Sequence, residues 1–336
     1  MTLRRSTPTR AAGLLVALAA LALVVLLSIS VGAKPIPPHR VWELLFHDDG
    51  SQDAIVVHDL RIPRTVLGLL VGAALGVAGA LMQALTRNPL ADPGLLGINA
   101  GAATAIVLGV ALLGVTSATG YVWFGFAGAA LASVIVYGIG AQGRSGATPV
   151  RLALAGTAVT AALGAVVNGI TIVDTRVLER YRFWVVGALG GHDTDTIRQV
   201  APFMVVGLLL ALALARPLNA LALGEDAGRA LGAHVGRTRV AGAAAVTLLC
   251  GAATAAAGPI VFIGLTVPHV ARALCGPDQR WVLPYSAVLA PVFLLTADVL
   301  GRVIDRPGEI EVGVVCAFLG GPVFVALIRR RRIAQL

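Results

Sequence analysis

The sequence predicts an all-α protein that crosses a membrane about ten times. Of its 336 residues, 57% are hydrophobic and only 13% are charged, whereas soluble domains carry about 25% charged residues. The mean hydropathy is +0.86, and the apolar residues form long uncharged runs rather than short stripes. A helix needs about 20 such residues to cross the hydrocarbon core. We therefore expect a single transmembrane domain over residues 1–336.

Each spanning helix is predicted from its own apolar run. The runs cover about residues 11–33, 63–85, 94–115, 120–140, 151–172, 198–217, 238–257, 259–274, 281–302 and 311–328. In the second run, glycines at 68, 72, 76 and 79 recur along one helical face. Small residues at this spacing let helix backbones approach closely, so they indicate packing rather than chemistry.

The first run has two interpretations. It follows three arginines, and Val31-Gly32-Ala33 resembles a cleavage site, which is typical of a removable signal peptide. The run is longer than the usual signal-peptide core, however, and many more spans follow it. An uncleaved first helix is the better interpretation.

The basic residues predict the orientation. Of 26 lysines and arginines, sixteen lie on the side that holds both termini, which leaves ten on the opposite side. Cytoplasmic loops of membrane proteins are enriched in such residues, so we expect both termini in the cytoplasm. The same rule explains the net charge of +9 without any nucleic-acid partner.

Three segments outside the spans stand out. Residues 34–61 form a long loop, and residues 173–197 include Tyr181-Arg182-Phe183-Trp184, which is typical of a helix at the membrane interface. Residues 217–239 predict two short helices hinged at Gly224 and Gly232.

The sequence lacks the groups that would power transport or catalysis by this chain alone. ATP hydrolysis requires a phosphate-binding loop such as GxxxxGK[ST], but the sole lysine is Lys34. Within the spans, Asp298 and His269 are the candidate ionisable groups, and we interpret both as structural residues. Cys250, Cys275 and Cys316 are too far apart for a metal site and predict buried free thiols.

Five stretches carry a resemblance to a known family. They are Arg61-Ile-Pro-Arg-Thr65, Gln83 to Gly97, Gly258 to Arg272, Ala297 to Arg302, and Pro307 to Phe324. Together they resemble the FecCD-type permeases of siderophore, haem and cobalamin importers. The resemblance implies a type II ABC importer permease fold, in which two permeases enclose a central pathway.

The resemblance also implies partners and the residues that meet them. Two ATPase subunits dock on the cytoplasmic side, and a binding protein docks outside. Arg61, Arg64 and Arg302 resemble arginines that pair with acidic residues of the binding protein. The alternative is that they snorkel or pair internally with Asp59 and Asp305. We expect glutamate at positions 61 and 64 to weaken docking while the bundle stays folded.

Two further sets of residues follow from the resemblance. The segment 217–239 resembles the coupling helices that contact the ATPase, and the expected contact residues are Gly224, Glu225, Asp226, Ala227, Leu231 and Gly232. Asn88 and Leu90 resemble the cytoplasmic gate. Thr148 and Pro149 would form a second gate element.

The predicted function is that of a permease subunit, without catalytic activity, that imports an iron chelate across the cytoplasmic membrane. A ferric siderophore is the favoured cargo, and haem or cobalamin is the alternative. We expect no directly bound cofactor, because ATP and Mg²⁺ are used by the partner ATPase. The second permease makes either a homodimer or a heterodimer. An ion-coupled secondary transporter and a membrane scaffold are the rival classes.

Overall fold

The computed structural model describes residues 6–142, 148–230, 232 and 234–329, and within them the fold is entirely helical. The helices are α1 Thr7–Ser30, α2 Pro38–Phe46, α3 Gln52–Ile55, α4 Ile62–Thr86, α5 Ile98–Leu113, α6 Ala118–Gly140, α7 Pro149–Val173, α8 Thr175–Val185, α9 Thr194–Ala213, α10 Ala215–Ala222, α11 Glu225–Ala230, α12 Val235–Ala257, α13 Ile263–Cys275, α14 Gln279–Ile304 and α15 Val312–Arg329. A π-helical turn, Val56–Arg61, joins α3 to α4.

The ten predicted spans all correspond to helices. Seven helices among the described residues are long and apolar enough to cross a membrane, and three shorter apolar helices, α5, α13 and α15, complete the set. The helix that contains α4 begins at Gln52, a few turns earlier than predicted, because Ser51 caps it by accepting a hydrogen bond from the Ala54 amide. The predicted loop 34–61 is therefore largely helical.

Helix α4 lies at the centre of the bundle, and the glycines along one of its faces allow its neighbours to pack closely against it. Extra methyl groups on this face would overlap α14 or α13: a Cβ at Gly72 would lie 2.6 Å from Pro291 Cα, and one at Gly79 would lie 1.9 Å from the Gly264 carbonyl oxygen. Backbones this close require glycine. The prediction that this stripe serves packing is confirmed.

The span predicted at 259–274 is only partly helical, which corrects the sequence-based assignment. Helix α12 ends at Ala257, and α13 begins after a break that includes Phe262 in a left-handed conformation. With 13 residues, α13 is about 20 Å long at 1.5 Å per residue, shorter than the hydrocarbon core. Gln83 of α4 stabilises its first turn by donating to the Gly264 carbonyl, whose helical donor is missing because residue 268 is proline.

Helix α1 packs against α14, where the Tyr285 hydroxyl donates to the Arg10 carbonyl over 2.6 Å. Gly13 makes this approach possible, since a Cβ there would collide with the same hydroxyl. The N-terminal end of α1 is thus tied to the bundle by a side chain of α14.

Candidate functional site

Two groups of predicted residues lie at opposite ends of α14. The first, which we call the arginine cluster, consists of Arg61, Arg64, Arg302, Asp298 and Glu309 and lies at the C-terminal end of α14. The second, which we call the coupling segment, consists of α10, α11 and residues to the start of α12, and it meets α14 at its N-terminal end. The two groups differ in burial.

Arg61 is 4% exposed and is held by the end of α1. Its Nη1 donates to the carbonyls of Ile29 and Ser30 over 3.0 and 2.8 Å, and its Nη2 donates to the Lys34 carbonyl over 2.6 Å. These acceptors lie at a helix C-terminus, where carbonyls have no helical partner and the helix dipole favours a cation. Arg61 therefore caps α1.

Arg302 also caps the C-terminal end of α1. It is 2% exposed, and its Nη1 donates to the carbonyls of Ser28 and Val31 over 2.8 and 2.9 Å. Its Nη2 donates to the Ser28 hydroxyl and lies 2.9 Å from Asp298 Oδ2. Arg302 thus joins α1 to its own helix one turn from a buried carboxylate.

Asp298 is fully buried and binds two arginines. Besides the contact with Arg302, its Oδ1 accepts from Arg64 Nε and Nη2 over 3.0 and 2.7 Å. The remaining Arg64 nitrogen, Nη1, donates to Glu309 Oε2 over 2.5 Å. A buried charge pair of this kind is costly to break, because removing one partner strands the other. Asp298 is structural, as the sequence suggested.

Docking by these three arginines stays a prediction, and the structure limits how it can occur. Internal pairing, the alternative considered from the sequence, is present, but the acids are Asp298 and Glu309 rather than Asp59 and Asp305. That glutamate at positions 61 and 64 leaves the bundle folded also stays a prediction, and the geometry opposes it, because a carboxylate at position 61 would face carbonyl oxygens.

The coupling segment is a helical hairpin with exposed tips. Gly224 and Gly232 both have positive φ, of 107° and 82°, so the two predicted hinges are confirmed as turns that glycine favours. Helix α11 folds back on α10 at Gly228, where a Cβ would lie 3.2 Å from the Ala220 carbonyl oxygen. Asp226 and Ala227 are exposed on this hairpin, and Leu231 lies outside the described residues.

Asn219 fastens the coupling segment to α14. Its Nδ2 donates to Asp278 Oδ1 over 2.6 Å, and its Oδ1 accepts from the Gln279 amide over 2.8 Å. Burial alone would raise the pKa of Asp278, but hydrogen bonds from Arg280 and Asn219 outweigh it and lower that pKa to about 2. We call this contact the Asn219 clamp. Sequence reasoning missed it because no pattern links residues 59 positions apart.

The predicted gate residues build turns and caps. The Asn88 side chain accepts from the Leu90 amide over 3.0 Å, which leaves Leu90 exposed at the tip of the turn. Thr148 caps α7 by accepting from the Arg151 amide over 3.4 Å, and Pro149 is the first residue of α7. A gating role for these four residues stays a prediction.

A cavity of about 230 Å³ lies between α5, α7 and α8. Its polar wall consists of Asn99, Thr160 and Asn168, and its aromatic wall consists of Tyr181 and Trp184. The lining is neutral, so it could bind oxygen-bearing or aromatic groups only weakly. The predicted interfacial helix, α8, thus turns two aromatic rings inward.

The three cysteines are buried free thiols, as predicted. Among the described residues, no group of histidine, cysteine or acidic side chains is arranged to hold a metal ion. His269 Nδ1 lies 3.4 Å from Arg272 Nη2 in the last turns of α13, and Arg272 also donates to Gln83. This contact agrees with the structural interpretation of His269.

Comparison with known proteins places these features in context. The model of the FecCD transport family matches residues 20–330. The ferric enterobactin transport system permease protein FepD of Escherichia coli is 50% identical over 305 residues, which is 91% of each chain. The hemin transport system permease protein HmuU of Yersinia pestis is 36% identical over 93% of each chain.

A solved structure agrees on the fold. A metal-chelate type ABC transporter in an inward-facing conformation superposes with a TM-score of 0.83 and covers 94% of this chain and 98% of its own. The sequence identity is 23%, so this likeness establishes the fold alone. The predicted all-α polytopic permease fold is confirmed.

Proposed function

The chain belongs to the FecCD transport family, and from this premise we propose that it is the permease subunit of an ATP-driven importer for an iron chelate. The observation that carries the proposal is its 50% identity, over 91% of both chains, to a ferric enterobactin permease protein. A ferric siderophore is therefore the favoured cargo. The membrane is the bacterial cytoplasmic membrane, with both termini in the cytoplasm.

Energy comes from separate ATPase subunits. The sequence has no phosphate-binding lysine loop, and its sole lysine, Lys34, pairs with Asp53 over 2.6 Å. The tip of the coupling segment, where Asp226 and Ala227 are exposed, offers a short helix for a cleft in one ATPase, and the second permease would contact the other. The Asn219 clamp gives that helix a rigid connection to α14. These features support two ATPase partners on the cytoplasmic side.

The pathway requires a second permease. The cavity of about 230 Å³ is smaller than the 300–1,000 Å³ usual for ligand pockets, so this cavity alone does not enclose a whole chelate. Helix α7 borders this cavity, yet Leu154, Ile172 and Val173 on it are 66%, 80% and 86% exposed. We propose that α7 faces the sister permease and that the neutral cavity borders the shared pathway.

An ion-coupled carrier is the rival that the charges disfavour. Such carriers place ionisable groups in the membrane as relays. Here the buried acid in α14, Asp298, is already bound by Arg64 and Arg302. Because both guanidinium groups bind the Asp298 carboxylate, this carboxylate does not offer a site for a transported ion.

Reconstitution tests the proposal. The chain would be purified from its native membrane with any co-purifying ATPase, permease and binding protein, and reconstituted into proteoliposomes. We expect ATP-dependent uptake of a ferric catecholate that exceeds uptake of hemin or cobalamin. Uptake that survives ATP depletion and collapses with the ion gradient would instead make the chain a secondary transporter, and binding without uptake would make it a scaffold.

Haem is the second candidate cargo, because a hemin permease protein is 36% identical over 93% of each chain. The same proteoliposomes distinguish the two. Preferred uptake of hemin would retain the importer proposal and replace its substrate.

A further inference from the structure

The arginine cluster contains one contact that a partner could replace. Arg61 and Arg302 direct their terminal nitrogens at the end of α1 and at Asp298. Arg64 commits Nε and Nη2 to the same buried carboxylate. The remaining donor, Arg64 Nη1, points to the outer rim of the cluster, where it meets Glu309.

Glu309 differs from the other acid of the cluster in how it is held. Asp298 is fully buried on a helix, whereas the Glu309 side chain is 37% exposed on the loop between α14 and α15. The neighbouring residue anchors that loop, since the Ile310 amide donates to the Gly301 carbonyl over 3.1 Å. The Glu309 carboxylate can therefore leave Arg64 by side-chain rotation, without unfolding the loop.

We propose that Glu309 occupies on Arg64 the position that a carboxylate of the extracytoplasmic binding protein takes when it docks. This inference rests on the proposed function. Docking then exchanges one carboxylate for another, and Arg64 stays paired in both states. A buried guanidinium without a counter-charge would be costly, so an exchange satisfies Arg64 throughout the transport cycle while keeping the docked complex reversible.

The exchange limits the contact to one acidic side chain at this position. Three arginines and two carboxylates leave the cluster with a net charge of +1. Rotation of Glu309 away from Arg64 uncovers the Nη1 donor of Arg64 at the rim. The partner that fits is a protein surface that presents an aspartate or glutamate.

The test compares Glu309→Gln with Glu311→Gln. Glutamine has the shape of glutamate but lacks the charge that competes for Arg64. Glu311 lies in the same loop, where burial raises the pKa of its carboxyl and the charge of Arg64 partly opposes that shift. It makes no ion pair with Arg64, so it controls for loss of a nearby charge without the direct contact. Binding of the co-purified binding protein would be measured on nanodiscs of zwitterionic lipid. We expect about tenfold tighter binding for Glu309→Gln, or ~1.4 kcal/mol, and less than a twofold change for Glu311→Gln.

Arg64→Lys separates failure of this inference from failure of the docking proposal. Lysine keeps a positive charge beside Asp298 but lacks the second donor, and the thermal stability of this variant would be checked first. Weaker docking of Arg64→Lys, with no gain for Glu309→Gln, would overturn the exchange and retain docking at Arg64. Unchanged affinity for both variants would remove Arg64 and Glu309 from the docking contact and overturn the exchange.

A second test of the exchange does not require the binding protein. Reaction of Arg64 with phenylglyoxal, mapped by mass spectrometry, reports whether its rim nitrogen is covered. We expect faster modification in Glu309→Gln than in the wild type or Glu311→Gln. Equal rates in all three proteins would mean that Glu309 does not cover Arg64, and the inference would fail.

Discussion

The arginine cluster and the coupling segment look alike in the sequence but are built in opposite ways. Both place charged residues at the ends of apolar helices, and the family resemblance implies a partner for each. In the structure, Arg302 is 2% exposed and every arginine of the cluster is bound internally. Asp226, by contrast, is fully exposed and forms an ion pair with Arg229 at 3.5 Å.

This difference teaches that burial and internal pairing, rather than charge, distinguish the two sites. A buried, paired cluster can exchange a partner at its rim, as Glu309 allows. An exposed tip can accept a partner directly. Variants in the arginine cluster should therefore lose mainly stability, whereas variants in the coupling segment should lose mainly uptake.

The largest effect is expected from Asp298→Leu. This change leaves Arg64 and Arg302 buried beside an apolar side chain, and breaking a buried pair costs about 3–5 kcal/mol. We expect loss of monodisperse protein, or a large fall in thermal stability in detergent. Thr296→Ala, on the exposed face of the same helix, is the matched control. A stable Asp298→Leu protein would contradict the structural role of the cluster.

A smaller loss of stability is expected from Asn219→Leu. The substitution removes two hydrogen bonds, one of them to an ionised carboxylate, and such bonds contribute about 1–3 kcal/mol. The protein should fold and its ATPase partner should still hydrolyse ATP. The amount of substrate taken up per ATP hydrolysed should fall. A double-mutant cycle with Asp278→Asn measures the clamp itself. Additive effects of the two changes would show that the clamp carries no energy.

Replacing Glu225 and Asp226 with alanine should barely change stability. Asp226 is fully exposed, and surface substitutions usually stay within about 0.5 kcal/mol, while contact with the ATPase would be lost. We expect normal thermal unfolding, continued ATP hydrolysis and reduced uptake. Asp195→Ala, an exposed acid at the start of α9, is the control. Normal uptake in the double variant would remove these acids from the interface.

The smallest effect is a pH dependence at the clamp. The pKa of Asp278 is lowered to about 2, below the ordinary value of about 3.9. Its contribution to stability is therefore complete above about pH 4 and is lost as the pH falls toward 2. The difference in unfolding free energy between wild type and Asp278→Asn should shrink over that range. A difference independent of pH would mean that folding does not change the pKa of Asp278.

Local pattern predicted much of the fold because long apolar runs and glycine spacing are properties of neighbouring residues. The ten helices, the close packing along Gly72 and Gly79, and the hinges at Gly224 and Gly232 all follow from it. The short length of α13 did not follow from it. Residues 258–262 continue the apolar run, although in the structure they are not helical.

The candidate sites were located but not understood from the sequence. Arg61, Arg302 and Asp226 stand out by charge alone, yet their states depend on what lies opposite. The acceptors for Arg61 and Arg302 are backbone carbonyls of α1, which carry no residue signature. Asn219 and Asp278 form a contact of two ordinary polar residues, and no periodicity marks it.

The cap on α1 has a consequence for biosynthesis. Residues 28 and 302 are 274 positions apart, so α1 leaves the ribosome long before α14 does. The terminal carbonyls of α1 are fully satisfied only after Arg302 has been synthesised. Until then, water or lipid headgroups must solvate that end, which holds it at the membrane surface. A chain truncated before α14 would have α1 in the bilayer without the Arg302 contact that caps its end.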